Sequence, residues 1–408
     1  MTSDQEDRPW LTRNVKVLSA VSLAQDAASE MLYPLLPILL TTVLGAPAAV
    51  VGIVEGIAEG VAAFVKYIAG RTSDRVGRKP AVATGYGMAA VGKVIIAAAA
   101  IWPMVLVGRV VDRIGKGIRG APRDALLVDG VATKSMGKVF GFHRAADTLG
   151  AVIGPLIGLG VLALASGNIQ VALWIAVVPA LISVALVFLT REDRPHPKPV
   201  RESSTGVSDS HVSEPRRPAK AKLPPLPPRV RLIAALLALI ALVNFPDALL
   251  LLHLNEQGFS TMAIVATYAL FNLANAAIAF PAGALSDRWP RARVYALGLI
   301  CFAIGYIGLA VADSGWISVL LLLVYGGFAG ITDGVGKAWI SSLCPPEQRG
   351  HAQGLMQGLS GGAILLAGIW AGLAWTAGGG VGTVPLLIAG TVSGVAAVGL
   401  LALGRRLG

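Results

Sequence analysis

Long apolar runs follow one another along almost the whole chain, and short polar segments separate them. A helix needs about 20 mostly apolar residues to cross the hydrocarbon core of a bilayer, whereas a strand of a membrane barrel needs only about 9–11. The runs are too long for strands, so the pattern predicts an all-α integral membrane protein. It contains twelve predicted spans, at residues 15–44, 49–70, 81–101, 104–128, 139–165, 171–190, 231–254, 261–283, 294–312, 317–343, 351–375 and 384–404.

One long polar segment, 191–230, interrupts this series after the sixth span. It is rich in proline, serine and charged residues, a composition that favours a solvated and mostly disordered loop. The segment divides the chain into two six-helix bundles, 15–190 and 231–404, with short polar ends at 1–14 and 405–408. We interpret it as a tether between the bundles; regulation or lipid contact through its basic residues is the alternative.

The composition supports a membrane protein. Of the 408 residues, 55% are hydrophobic and 14% are charged, whereas an average soluble domain has roughly 25% charged residues. This excludes an ordinary soluble enzyme and a disordered chain.

The net charge of +11 would favour nucleic-acid binding in a soluble protein. Here Lys and Arg are absent from the six loops that face outside when the N-terminus is inside. This asymmetry predicts a multi-pass protein of the cell membrane, with both termini cytoplasmic and no nucleic-acid partner.

No cofactor site is expected from the sequence. The two cysteines, Cys301 and Cys344, lie in or beside apolar segments and lack the spacing of a metal site. No nucleotide-binding loop of the Walker type is present, so ATP is not expected to be the direct energy source.

The two bundles repeat each other weakly in sequence. VVDRIGK (110–116) in the fourth span matches ITDGVGK (331–337) in the tenth span. The same offset places Asp26 of the first span over Asp247 of the seventh span. Related halves normally place a binding site at their interface near the bilayer midplane.

A charged loop follows the second span and reads Gly70-Arg-Thr-Ser-Asp74-Arg75-Val-Gly77-Arg78-Lys79. It resembles the loop signature Gly-x-x-x-Asp-Arg-x-Gly-Arg-Arg of the major facilitator superfamily (MFS). A degenerate copy with Asp287 and Arg288 follows the eighth span, where Pro290 replaces the second glycine. The resemblance covers the whole chain. It implies two pseudo-symmetric six-helix bundles, the MFS fold, and a monomeric secondary transporter that works by alternating access.

The residue types of this loop suggest separate roles. Gly77 allows a turn with positive φ, and Arg75, Arg78 and Lys79 hold the loop on the anionic cytoplasmic face. Asp74 is suited to accept hydrogen bonds from a nearby helix N-terminus, worth roughly 0.3–2 kcal/mol. In the superfamily this contact latches one access state, so the resemblance implies a gating role for Asp74. Anchoring alone is the alternative, and it does not explain the aspartate.

A second signature lies in the fifth span, which carries Gly150-Ala-Val-Ile-Gly154-Pro155-Leu-Ile-Gly158. It resembles the antiporter motif Gly-x-x-x-Gly-Pro-x-x-Gly of the superfamily, which is associated with exporters driven by protons. Helix packing is the alternative, because small residues at this spacing let helices approach closely and the proline bends the helix.

Ionisable residues inside the spans are the candidate functional residues, because each costs at least about 2.5–3.5 kcal/mol at the centre of a lone helix. The resemblance implies that spans 1, 4, 7 and 10 line a cavity. The candidates for proton coupling or cavity lining are Asp26, Glu30, Glu55, Glu59, Arg109, Asp112, Arg113, Lys116, His143, Asp147, Asp247, Asp333 and Lys337.

Helical spacing predicts how some of these charges are arranged. Residues four apart share one face of a helix. This spacing predicts ion pairs between Asp112 and Lys116 and between Asp333 and Lys337. Four further charges are predicted to lie near the cytoplasmic rim and to reach water there, namely Lys66, Arg119, Arg123 and Asp124.

Two interpretations of the carboxylates remain open. They form structural ion pairs that exchange partners between states, or one of them titrates and carries a proton. Asp26 is the first candidate for the proton carrier, followed by Glu30 and Glu59. The substrate is also open, because a lipophilic cation would suit the acids and an anionic metabolite would suit arginines such as Arg109 and Arg113.

The sequence thus predicts a transporter rather than an enzyme, most simply a proton-coupled exporter (antiporter) of a small molecule or drug-like compound. A proton-coupled importer is one alternative. An exporter of a metal ion or metal chelate is another, because His143 and Asp147 are four residues apart. A membrane enzyme lacks a nucleophile motif, and a receptor lacks a folded cytoplasmic domain.

Overall fold

The computed structural model describes residues 10–72, 77–129, 131, 136–192, 225–345 and 348–407. The regular secondary structure of these residues is helical throughout. The N-terminal half contains α1 (Arg13–Leu32), α2 (Ala48–Thr72), α3 (Arg78–Ala97), α4 (Trp102–Leu127), α5 (Met136–Leu164) and α6 (Ile169–Val187). The C-terminal half contains α7 (Pro228–Ala241), α8 (Asp247–Glu256), α9 (Thr261–Arg288), α10 (Arg291–Val311), α11 (Gly315–Ser342), α12 (Arg349–Ala377) and α13 (Thr383–Leu407).

Two predicted spans are not single regular helices. After α1 the chain continues through a 3₁₀ turn, Tyr33–Leu35, a short α turn and a π turn, Leu39–Val43. Pro34 and Pro37 lie in this stretch, and proline removes a backbone donor from the helical ladder.

The continuous helix predicted over 231–254 is wrong. The helix α7 ends at Ala241, and α8 begins at Asp247, directly after Pro246. Proline lacks the backbone N–H and disfavours helical geometry in the residue before it. The break brings Asp247 to the first turn of α8, where its carboxyl group lies at the positive end of a helix.

The predicted ends and linker are only partly described. Most of the segment 191–230 lies outside the described residues. At the C-terminus, residues 405–407 were predicted to be a polar tail, but α13 includes them.

Nine of the described helices are long and apolar enough to cross a membrane, namely α2, α3, α5, α6, α9, α10, α11, α12 and α13. The other helices differ for two reasons. Several charged residues lie within α1 and α4, and α7 and α8 are short. A count of twelve spans therefore stays a prediction. The helices α1 and α4 carry most of the cavity charges described below, which explains their low hydropathy.

The two halves meet along paired helices. The helix α2 packs along α12, and α5 packs against α9. Glycines permit the first of these contacts: a Cβ atom on Gly52 would overlap the backbone of Gly368, and one on Gly368 would lie 3.0 Å from Cα of Gly56. Small residues at this spacing let two helix backbones approach closely.

One end of the interface between the halves is sealed. Tyr33 Oη accepts a hydrogen bond from the backbone N–H of Ala248 at 3.2 Å, and Asn255 Nδ2 donates to Thr42 Oγ1 at 3.5 Å. Apolar side chains from both halves form one buried cluster here, including Leu39 from the N-terminal half.

The opposite end, where α1 begins, is polar and accessible. Lys66 of α2 is exposed and interacts electrostatically with Lys116 of α4 and Lys337 of α11. Exposed charges inside membrane helices face water-filled space rather than lipid. The space between the halves therefore opens on this side.

Candidate functional site

A cavity of about 220 Å³ lies between the two halves. Eight of the predicted site residues line it: Asp26, Glu30, Glu59, Arg109, Asp112, Arg113, Lys116 and Asp247. Four residues that the sequence analysis did not select also line it: Ser29, Tyr33, Arg119 and Tyr268. Nine of these twelve side chains are ionisable acids or bases, so the pairing of their charges decides what the cavity can bind.

The helix α4 supplies the bases, and two of them are held by acids of α2. Arg109 forms a bidentate ion pair with Glu55. Arg109 Nε lies 2.7 Å from Glu55 Oε1, and Arg109 Nη2 contacts Glu55 Oε2. Both side chains are buried. One helical turn along, Arg113 Nη2 lies 2.9 Å from Glu59 Oε1. These four charges therefore cancel in pairs between α2 and α4.

Asp112 pairs with a base that spacing along α4 did not indicate. Lys93 Nζ of α3 lies 2.8 Å from Asp112 Oδ1, and both side chains are at most 5% exposed. Gly92 allows this contact, because a Cβ atom there would lie 2.8 Å from the backbone nitrogen of Asp112. The predicted pair between Asp112 and Lys116 is wrong, since the close α3–α4 contact supplies Lys93 instead. Lys116 forms no ion pair among the described residues.

Three cavity carboxyl groups have no ion-pair partner within the described ranges: Asp26, Glu30 and Asp247. Two of them bind phenol groups instead. Tyr268 Oη donates a hydrogen bond to Glu30 at 2.5 Å, and Tyr325 Oη donates to Asp247 at 2.7 Å. The first of these bonds joins α1 to α9 and so crosses between the halves. Sequence reasoning missed both tyrosines because neither carries a formal charge.

Arg119 does not reach the surface, and the prediction that it does is wrong. Its side chain is 7% exposed and lines the cavity. The guanidinium lies over the ring of Tyr86, 4.3 Å from the centroid, and Nη1 has no hydrogen-bond partner. Gly85 explains this placement, because its lack of a side chain lets α3 approach Arg119 directly. Of the other predicted rim residues, Lys66 is exposed and Asp124 is half-buried.

His143 and Asp147 lie outside the cavity lining, between α1 and α5. His143 is buried, with Nε2 3.3 Å from Ser22 Oγ and Nδ1 3.4 Å from Ser19 Oγ. Asp147 Oδ1 lies 3.8 Å from His143 Nε2. Within the part of the chain that the structure describes, no group of three or more His, Cys, Asp or Glu residues is placed to hold a metal ion.

The predicted pair of Asp333 and Lys337 is present in α11. Lys337 Nζ lies 3.7 Å from Asp333 Oδ2. Both side chains are more than half exposed, and neither lines the cavity. They lie at the accessible end of the interface.

The glycine motif of α5 packs against α1 beside the cavity. A Cβ atom on Gly150 would lie 3.1 Å from Asp26 Cβ, and one on Gly154 would lie 3.0 Å from Ala27 Cα. Gly158 is less crowded, and Pro155 lies inside α5. The packing interpretation of the motif is therefore supported, and it places α5 directly against Asp26.

The charged loop after α2 is only partly visible. Asp74 and Arg75 lie outside the described residues, so the predicted latch is not tested. Gly70 lies near the end of α2, and Asp287 and Arg288 end α9.

The described end of this loop contradicts one expectation. Gly77 precedes α3 with φ −52° and ψ 140°, so the positive φ predicted for it is wrong. A Cβ atom at Gly77 would lie 3.2 Å from Pro80 Cδ, which explains the need for a small residue.

Glu192 caps α3. Its carboxylate accepts hydrogen bonds from the backbone N–H groups of Arg78 and Lys79, at 2.8 and 3.1 Å. Lys79 Nζ in turn donates to the carbonyl oxygens of Phe188 and Thr190. Glu192 thus supplies a carboxylate at the N-terminus of α3. Sequence reasoning missed Glu192 because it lies in the segment interpreted as a disordered tether.

The sequence matches the family model described as Major Facilitator Superfamily, over residues 18–357 and 264–407. An uncharacterized MFS-type transporter of Methanocaldococcus jannaschii is 30% identical over 375 residues, 91% of each chain. The class G tetracycline resistance protein of Vibrio anguillarum is 26% identical, over 76% of this chain and 75% of that protein.

Solved structures share the fold. The nucleoside transporter NupG covers 96% of this chain and 99% of its own, with a TM-score of 0.73 and 15% identity. A bacterial homolog of the human lysosomal transporter Spinster covers 98% and 96%, with a TM-score of 0.72 and 16% identity. At identities of 15% and 16%, these structures support the shared fold but not a shared substrate or mechanism.

Proposed function

The chain belongs to the Major Facilitator Superfamily, and we propose that it is a proton-coupled antiporter that exports a small molecule by alternating access. We place it in the cell membrane as a monomer, with both termini in the cytoplasm. The observation that carries the proposal is the environment of Asp26. This carboxyl group lines the cavity, has no ion-pair partner among the described residues, and lies against Gly150 of the antiporter-like motif.

Protonation costs less free energy at Asp26 than at the paired acids. Protonating Glu55 or Asp112 would leave a buried Arg109 or Lys93 without its counter-charge. Breaking a buried pair in this way costs about 3–5 kcal/mol. Protonating Asp26 breaks no such pair, so Asp26 is the better proton carrier. The paired acids fit the other interpretation, in which ion pairs hold the N-terminal half together.

Two observations support export. The α5 motif resembles that of proton-driven exporters, and tetracycline resistance proteins are among the relatives.

The test is proton movement by the purified full chain in proteoliposomes that contain a fluorescent pH indicator. A panel of drugs, metabolites and metal chelates is added under an imposed pH gradient. At least one compound is expected to drive proton flux, and Asp26→Asn should abolish its accumulation against the gradient. The matched control is Asp313→Asn, at an exposed carboxylate in the loop after α10.

Direction is measured separately in inside-out vesicles with an acidic interior. An exporter accumulates its substrate in these vesicles, whereas a proton-coupled importer does not. Proton coupling fails if no compound moves protons through the wild-type chain. The assignment of Asp26 fails if Asp26→Asn still concentrates substrate.

A further inference from the structure

The charges that remain after pairing divide the cavity into two ends. Three ion pairs cancel Glu55, Glu59 and Asp112 against Arg109, Arg113 and Lys93. The remaining cavity charges are three acids, Asp26, Glu30 and Asp247, and two bases, Lys116 and Arg119. The acids and the bases lie at different positions along the cavity, and these positions indicate which charged groups a ligand carries.

Acids dominate the sealed end. Ala248 binds Tyr33, so the adjacent Asp247 lies beside Tyr33, and Glu30 precedes Tyr33 by one helical turn. Glu30 and Asp247 interact electrostatically, and neither forms an ion pair within the described ranges. Glu30 also interacts at longer range with Lys116 and Arg113 of α4. Two carboxyl groups from opposite halves therefore face the same space.

Aromatic rings surround these two acids. The rings of Tyr33 and Tyr268 are 5.5 Å apart, and Phe271 is stacked between Tyr268 and Tyr325 at 5.9 and 5.6 Å. Aromatic faces beside carboxylates attract an ammonium group, through the ring quadrupole as well as the formal charge. The sealed end thus has the chemistry of a site for an organic cation.

Bases dominate the other end. Lys116 and Arg119 both interact with Asp26, as do Asp147 and Arg123, and Arg123 is itself paired with Asp124. Lys66 interacts with Lys116 and adds a further base at this end. Independently, Arg119 Nη1 and Arg113 Nε are buried N–H donors with no hydrogen-bond partner. Both side chains line the cavity and are at least nine-tenths buried. Buried donors are costly to leave unpaired, and an anionic group of a ligand would supply the missing acceptor.

Helix geometry gives the distance between the two ends. Arg109 lies over the ring of Tyr33, 5.7 Å from its centroid, which sets α4 against α1. At about 1.5 Å per residue, Lys116 lies about 10 Å along α4 from Arg109, and Glu30 lies about 4.5 Å along α1 from Tyr33. The two ends are therefore separated by roughly 6 Å along the helix axes, the length of a small molecule.

We infer that the transported molecule carries both a positive and a negative group on an apolar body. Glu30 and Asp247 hold the positive group against the tyrosines, and Lys116 and Arg119 hold the negative group. This inference rests on the proposed transport function and names the chemical class of its substrate.

The test is equilibrium binding of three matched compounds to the purified full chain in detergent, without a gradient. The zwitterion is 4-(aminomethyl)benzoic acid, whose charges stand at opposite ends of one aromatic ring. Its methyl ester keeps only the positive charge, and its N-acetyl derivative keeps only the negative charge. The zwitterion is expected to bind at least tenfold more tightly than either derivative.

Two variants test which end of the cavity binds each charged group of the ligand. Lys116→Gln should weaken binding of the zwitterion and the N-acetyl compound about tenfold and leave the ester unchanged. Asp247→Asn should weaken the zwitterion and the ester and leave the N-acetyl compound unchanged. Arg229→Gln and Asp313→Asn, at exposed sites outside the cavity, are the matched controls. The comparison of the three compounds on the wild-type chain needs no variant, so it stands even if a variant fails to fold.

The inference is overturned if the ester or the N-acetyl compound binds as tightly as the zwitterion, or if none of the three binds. Because no gradient is present, these outcomes are independent of proton coupling. Binding of the zwitterion without proton movement in proteoliposomes would support this inference and reject the antiporter. Proton movement in proteoliposomes, together with equal binding of the zwitterion and its ester, would support the antiporter and reject this inference.

Discussion

Tyr268 Oη donates a hydrogen bond to Glu30 across the interface between the two halves, with the oxygen atoms 2.5 Å apart. Glu30 belongs to α1 and Tyr268 to α9, so the bond holds the sealed end of the cavity closed. A hydrogen bond to a charged group contributes about 1.5–3 kcal/mol. The alternating access that we propose requires these two residues to separate, because the sealed end would open in the other state.

Tyr268→Phe should therefore open the sealed end. Loss of about 1.5 kcal/mol would shift the equilibrium between the two states by roughly tenfold. The measurement is the distance between spin labels at Val43→Cys and Met262→Cys, in a chain without its native cysteines. Both positions are exposed, one in each half, and neither forms the contacts that seal this end. The long-distance population is expected to rise. Tyr295→Phe, at a buried tyrosine of α10, is the control, and an equal rise in both variants would reject the role of the Glu30 bond.

The positions of the helices and of most cavity charges could be predicted from the sequence. Apolar runs locate helices because the bilayer requires a fixed length. Charges inside those runs mark the cavity because lipid does not tolerate them. On this basis Asp26, Glu30 and Asp247 were predicted to line the cavity, and they do.

The partners of these charges could not be predicted. Spacing along α4 favoured Lys116 as the partner of Asp112, but Lys93 of α3 is the actual partner. Which residues face each other across two helices depends on where glycines let the backbones approach, as Gly92 does here. Tyr268 was missed because it carries no formal charge, and its bond to Glu30 depends on a contact between the two halves.

The cap on α3 predicts a change in stability. Glu192 accepts two backbone hydrogen bonds from the first turn of α3. Loss of a side-chain cap costs about 0.5–2 kcal/mol. Glu192→Ala should lower the apparent unfolding temperature in detergent, and Glu192→Gln should lower it less because one acceptor oxygen remains. Asp129→Asn is the control, since Asp129 approaches Arg78 only to 4.0 Å. Equal unfolding temperatures for Glu192→Ala and the wild type would contradict the cap.

The buried pair of Glu55 and Arg109 predicts non-additive effects. Removing one charge leaves the other buried without a partner, at a cost of about 3–5 kcal/mol. Glu55→Gln and Arg109→Gln should each lower the unfolding temperature and the yield of folded protein. The double variant should recover most of that loss, because no isolated charge remains. A double variant as unstable as the sum of the single variants would show that the pair does not act as a unit.

The packing of α5 against α1 predicts a difference between two glycines of one helix. A methyl group at Gly154 would lie 3.0 Å from both Ala27 Cα and Met31 N, so α5 would have to move away from the cavity. Overpacking of this kind costs about 1–3 kcal/mol. Gly154→Ala should therefore lower the unfolding temperature and slow transport. Gly160 is the matched control: a Cβ atom there meets nothing within 4 Å, and alanine favours a helix over glycine by about 1 kcal/mol. Gly160→Ala should unfold at the wild-type temperature or above it. If both variants behave alike, the close approach of α5 to α1 is not what these glycines provide.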